Sequence, residues 1–133
     1  MRSGERTGLR WAAIGILLLG CKADSFIGPG DLLLGRWGGL GVEIQGSRAG
    51  IDVTLSCDRT ASAGPVRIGA DKAFAGTVAL RAGASPPALT PFSGRVVSDH
   101  SVYVEFGDPV IAYATVVQGQ RGTFWTCDAG SIR

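Results

Sequence analysis

A chain of 133 residues has room for one domain, and 13 basic against 11 acidic side chains give it a formal charge of only +2. Arg2, Arg6 and Arg10 against Glu5 fall within the first twenty residues, so the remainder balances at zero; such a surface lacks the positive excess that nucleic acid or an anionic lipid face requires. The 21 glycines and 6 prolines, set among short apolar runs, disfavour long helices and point to a turn-rich β protein.

The chain opens on the three parts of a secretory signal. Arg2, Arg6 and Arg10 make a positive start, and Trp11 to Leu19 make an apolar core. That core falls well short of the ~20 apolar residues a membrane-spanning helix needs. It ends in Leu18-Leu19-Gly20-Cys21, which resembles the bacterial lipobox. The resemblance implies that residues 1–20 are a cleaved signal peptide, that Cys21 carries diacylglycerol, and that three acyl chains anchor the mature protein to a membrane. The alternatives are an ordinary signal with an incidental cysteine, or an uncleaved anchor. Lys22 follows the cysteine where a known sorting rule uses Asp for retention, so the expected location is the bacterial cell envelope, at the outer membrane facing the periplasm; inner against outer stays open. Residues 21–32, broken by Gly28-Pro29-Gly30, read as the lipidated cysteine and a flexible tether, with Lys22 to Asp31 reaching roughly 17 Å as a random coil.

Residues 33–133 read as a β-barrel-like domain. There the dominant period is two, interrupted every 8–12 residues by turn signals. Ile51, Val53, Leu55 and Cys57 share one face against Asp52, Thr54 and Ser56, and Val102, Val104 and Phe106 alternate likewise. The pattern predicts about eight strands near 34–46, 51–57, 65–69, 73–81, 90–98, 101–106, 110–118 and 121–127. Gly38-Gly39-Leu40-Gly41 marks a bulge or sharp bend in the first. Phe74-Ala-Gly-Thr-Val78 and Phe92-Ser-Gly-Arg-Val96 share F-x-G-x-V, as expected where Gly76 and Gly94 make room for a bulky side chain from the neighbouring strand. Short connections favour an antiparallel meander, and eight strands favour closure into a small barrel that removes exposed edges.

Gly35-Arg-Trp37 is similar to the G-x-W that opens lipocalin- and avidin-type barrels, where the Trp plugs one end. The paired F-x-G strands look like the G-T-Y and G-R-Y strands of the avidin group. Gly35-x-Trp37-Gly38-Gly39, Leu55-x-Cys57, the two F-x-G segments and Cys127 together resemble a family of uncharacterised small bacterial (lipo)proteins. These resemblances imply a calycin-like architecture. The polar residues with which avidins hold biotin have no counterparts, so biotin binding is not implied.

Chemistry-bearing residues are sparse. With Cys21 lipidated, Cys57 and Cys127 remain as a pair in an oxidising compartment, which favours a disulfide over a metal or redox site, since there is no C-x-x-C and no second His. His100 beside Asp99 falls in a predicted turn, and no G-x-S-x-G accompanies it. Glu43, Glu105 and Asp108 show no metal-ligand spacing. Trp37 and Trp125 are expected to be core or rim plugs. No metal, cofactor or enzymatic activity is expected. The expected function is a non-catalytic interaction or structural domain anchored at the envelope, its protein partner unknown. The alternatives are a calycin-like carrier of a small apolar ligand, or an inhibitor of a periplasmic hydrolase. An empty apolar interior would favour the carrier, a filled one the interaction domain.

Overall fold

A computed structural model describes residues 27–127; the signal, Cys21 and the first half of the expected tether lie outside the described residues. Eight antiparallel strands follow one another around a closed barrel: β1 (Gly35–Gly39), β2 (Val42–Gly46), β3 (Ile51–Leu55), β4 (Arg59–Ala63), β5 (Ala73–Ala82), β6 (Ala88–Ser98), β7 (Ser101–Phe106) and β8 (Ala112–Gln118). Pairing of Trp37 with Gln118 and Gly38 with Val117 closes the ring. The expected all-β meander and its closure are both present.

Closure follows from the alternation. Val42 and Ile44 on β2 face the interior beside Ile51, Val53 and Leu55 on β3, in a register that sets Val42 against Leu55 and Ile44 against Val53. Val102, Val104 and Phe106 continue the lining from β7, and Ala114 and Val116 from β8. A one-residue slip in any of these strands would turn its apolar set to solvent, so the pattern pins the register.

The F-x-G repeat is a reciprocal pair. Phe74 lies opposite Gly94 and Gly76 opposite Phe92 across β5–β6. Each phenyl ring occupies the space its partner glycine leaves: a Cβ on Gly76 would sit 2.9 Å from the Phe92 ring, and one on Gly94 would strike the Phe74 ring and the Tyr103 carbonyl. Phe92 also stacks on Phe106, with centroids 6.0 Å apart. Trp37 is buried at 1% exposure, and its Nε1 donates to the Leu34 carbonyl at 2.8 Å, so the one polar atom of this plug is satisfied.

Three predicted strands need correction. The run 34–46 is two strands, because Gly41 at φ +82° turns the chain into a hairpin at Leu40-Gly41. No strand spans 65–69; only Arg67 makes an isolated bridge, to Leu32, and Pro65 lacks the N–H a ladder needs. The strand at that place in the order is β4, whose small and polar residues bury only Ala61. Nor is 121–127 a strand of the barrel. Cys57 and Asp58, at φ 69° and 56°, form the turn after β3, so Cys57 does not extend the β3 face.

Segments outside the ring cover its two ends. Antiparallel strands put the turns after odd strands at one end and those after even strands at the other. At the even end, Ile27 to Leu34 packs against the β4–β5 connection: Gly30 N–H donates to Ile68, Ile68 to Asp31, and Leu33 to Val66. Ile27, Leu33, Val66 and Ile68 are all buried there. Residues 27–32, expected in the tether, are thus docked on the barrel. After β8 the chain turns and runs back along the outside of β1 towards the odd end, where Leu40 and Thr123 pair in parallel. Among the described residues, the buried core runs from Ile27 to Val116.

Candidate functional site

The segment Gln120 to Cys127 is a strap. Gly38 points outward from β1, and a Cβ there would collide with the Arg121 backbone, so only glycine seats the strap this close. Thr123 N–H donates to Gly39 at 3.0 Å and its carbonyl accepts from Gly41 at 2.7 Å. Gly122 N–H donates to Glu43 Oε1 at 2.7 Å. Trp125 N–H donates to the Oγ of buried Ser56 at 3.1 Å, and its carbonyl accepts from Cys57 N–H. The strap ends in a disulfide from Cys127 to Cys57, with Cα atoms 4.6 Å apart. That separation lies within disulfide geometry.

Trp125 does not enter the barrel. Its ring lies over Gly41, where a Cβ would come within 2.7 Å, and it stays 49% exposed. With Leu40, Ile111 and Tyr113 it borders a groove of about 480 Å³ that opens to solvent at the odd end, floored by Ala114 and flanked by Arg59. Leu40 is 67% and Tyr113 65% exposed. Arg59 is occupied with the fold, its Nε donating to the Ser56 carbonyl at 2.9 Å. On the outer face beside the groove, Tyr103 donates its hydroxyl to Glu105 at 2.8 Å, and Arg95 sits 5.4 Å from its ring centre. The hydrogen bond to the Glu105 carboxylate holds the Tyr103 phenol above its ordinary pKa range.

The remaining sequence candidates scatter. Gly35, Trp37, Gly76 and Gly94 belong to the ring and its interior. His100 lies exposed in the β6–β7 turn at the opposite end, with Nδ1 3.3 Å from Gln118 Oε1. Among the described residues, no group of three or more His, Cys, Asp or Glu side chains could hold a metal ion. Cys21 lies outside the described residues.

No family model, curated protein or solved structure matches the chain. The site therefore stands on its own geometry. That geometry is mostly apolar, open and aromatic, and its Ser56, Arg59 and Tyr103 are engaged in hydrogen bonds within the fold.

Sequence reasoning found Trp125 and the cysteines but not the groove. Its walls come from Leu40, Ile111 and Tyr113, exposed apolar residues in or beside turns. The available signal was the run Val110-Ile111, two apolar residues directly behind Pro109 where a turn would ordinarily be polar.

Proposed function

We propose that the chain is a lipid-anchored bacterial envelope protein whose barrel is a filled, non-catalytic scaffold, and that the groove at its odd end receives an exposed apolar segment of a protein partner. The observation that carries this reading is the position of the groove. The N-terminal segment docks at the even end, where Ile27 N–H donates to Asp99, and the groove lies at the other. If Cys21 is lipidated, the six residues to Ile27 reach at most about 20 Å, so the even end is held towards the membrane and the groove faces away. Its occupant is then a protein of the surrounding compartment rather than the anchoring bilayer. The sign of the barrel agrees: its apolar faces point inward, the reverse of a membrane-spanning barrel.

The interior argues against the carrier. Trp37, Phe74, Val78, Phe92, Val104 and Phe106 are buried in the barrel, and the groove is a half-open cleft at its mouth rather than a chamber that would enclose most of a ligand.

A photo-crosslinking residue placed at Tyr113 or Leu40 in the native bacterium tests the reading. The expected result is a discrete protein adduct from both positions, absent from Ser93 on the exposed face of β6 and abolished at position 113 by Leu40→Asp. Adducts of small-molecule mass alone would instead make the protein a carrier. Equal adducts from Ser93 would remove the groove from consideration.

A further inference from the structure

We propose that the Cys57–Cys127 disulfide is a redox latch on the groove: oxidised, it holds the strap in place with Trp125 as a wall; reduced by a dithiol, it frees the strap and dismantles that wall. The inference builds on the groove as a binding surface and concerns how that surface is switched.

Three observations carry it. First, barrel closure does not depend on the strap. The β1–β8 pairing uses Gln118 and Val117, both before the strap begins, and no strap residue contributes to the core. Second, the strap is held at its surface only. Arg121, Thr123, Phe124, Trp125 and Thr126 are all exposed, and the strap is tied down by a few hydrogen bonds, to Gly39, Gly41, Glu43, Ser56 and Cys57, each of modest net worth because a freed strap bonds to water instead. Ordering these residues costs conformational freedom that no buried side chain offsets. The covalent bond is what makes docking persistent, by limiting how far the chain end can travel from the turn after β3. Third, the barrel is shaped to receive the strap: glycines stand at positions 38 and 41, where any side chain would strike Arg121 or Trp125. A segment with a dedicated seat, a covalent end and no core contact is built to be held or released as a unit. The bond itself is accessible, since Cys57 and Cys127 are both partly exposed.

The chemistry balances as ordinary exchange. A thiolate of the dithiol attacks one sulfur of the bridge and forms a mixed disulfide. The second thiol of the reductant resolves it, leaving Cys57 and Cys127 as two thiols and the reductant as a disulfide; two electrons and two protons pass to the protein. Oxidation of the pair reverses the step.

Amide hydrogen exchange on the chain from Lys22 onward, with and without dithiothreitol, tests the latch. Reduction should speed exchange at Gly122, Thr123 and Trp125 by at least ten-fold while Val53 and Val104 in the barrel stay protected. A Cys57→Ser variant should behave as the reduced protein does. An apolar fluorescent anion such as anilinonaphthalene sulfonate probes the groove. Its binding to the oxidised chain should fall several-fold on reduction, to the level of the oxidised Trp125→Ala variant. Unchanged exchange in the strap on reduction would overturn the latch, whatever the crosslinking at Tyr113 shows. Simultaneous loss of protection at Val53 and Val104 would also overturn it, because the bridge would then hold the whole barrel. If strap and dye respond as expected but no adduct forms at Tyr113, the latch stands and the partner reading falls.

Discussion

Replacing Phe92 by Ala tests whether reciprocal Phe–Gly packing organises the β5–β6 side of the barrel. The ring is 6% exposed, 6.2 Å from Phe74 and 6.0 Å from Phe106 by centroids, and it occupies the space above Gly76. Removing a buried phenyl ring costs about 3–5 kcal/mol. Phe92 also borders an opening of about 220 Å³ between the β4–β5 connection and β5, so water can reach the void, and the expected loss sits at the low end, about 3 kcal/mol. For a domain this size that lowers Tm by about 12–24 °C. Gly76→Ala alone should cost about 1–2 kcal/mol, because its methyl would stand 2.9 Å from the Phe92 ring. With Phe92 already Ala that clash is gone, and the same Gly76→Ala change should stabilise by about 0.5–1 kcal/mol through reduced backbone freedom in the unfolded chain. The double-mutant cycle, measured by urea unfolding of the chain from Lys22 onward, should therefore show coupling of about 2 kcal/mol. Additivity within about 0.5 kcal/mol would show that the ring does not occupy the glycine's space and would refute the packing argument.

Gly94→Ala should destabilise by about 1–3 kcal/mol, since the new methyl meets the Tyr103 carbonyl, which cannot move aside, while Gly64→Ala, with nothing within 4 Å, should be neutral or slightly stabilising in the same urea titration. Absorbance at 295 nm should show Tyr103 ionising above the ordinary phenol range, and Glu105→Gln should bring it back towards that range by removing the carboxylate that accepts its hydrogen bond. Because the folded pKa is raised, the associated stability is complete below the unfolded phenol's pKa and is lost as pH climbs through the folded one. Metabolic labelling with a clickable fatty acid should mark the wild-type chain and not Cys21→Ser; equal labelling would remove the basis for an envelope anchor.

Legibility in the sequence tracked how strongly each residue's fate depends on its neighbours along the chain. Ile51, Val53 and Leu55, or Val102, Val104 and Phe106, announce their face by alternation alone, and the structure buries all of them. The paired F-x-G motif was readable because a glycine opposite a phenyl ring is a local consequence of antiparallel pairing. β4 was not readable, because Arg59-Thr-Ala-Ser-Ala63 offers only Ala61 to the interior, too weak an apolar signal to outbid Val66 and Ile68 in the next segment. Those two are buried, but against the N-terminal segment rather than as a strand. The count of eight strands survives because the hairpin at Gly41 and the unseen β4 replace two segments that are not strands.

The cysteine pair shows how a correct contact can have a different cause from the one the pattern suggests. Read as ends of the second and eighth strands, Cys57 and Cys127 share a rim by parity. In the structure Cys57 follows the third strand, at the odd end, while β8 finishes at the even end, so parity alone would leave Cys127 on the far side of the barrel. The strap removes the conflict by running the length of β1 on its outer face, in parallel, until Thr123 meets Leu40 and the chain reaches Cys57. Outward-facing Gly38 is what makes that path passable. One consequence is that Gly38 and the disulfide are coupled although neither touches the other. Gly38→Val should lift the strap away from β1 and slow formation of the bridge during refolding, while the barrel, whose core ends at Val116, forms at an unchanged rate. Free-thiol titration alongside Trp37 fluorescence, in the chain from Lys22 onward with Trp125 replaced by Phe, would separate the two. Equal slowing of bridge and barrel would mean that the strap is part of the folding core, and that the division between scaffold and latch is wrong.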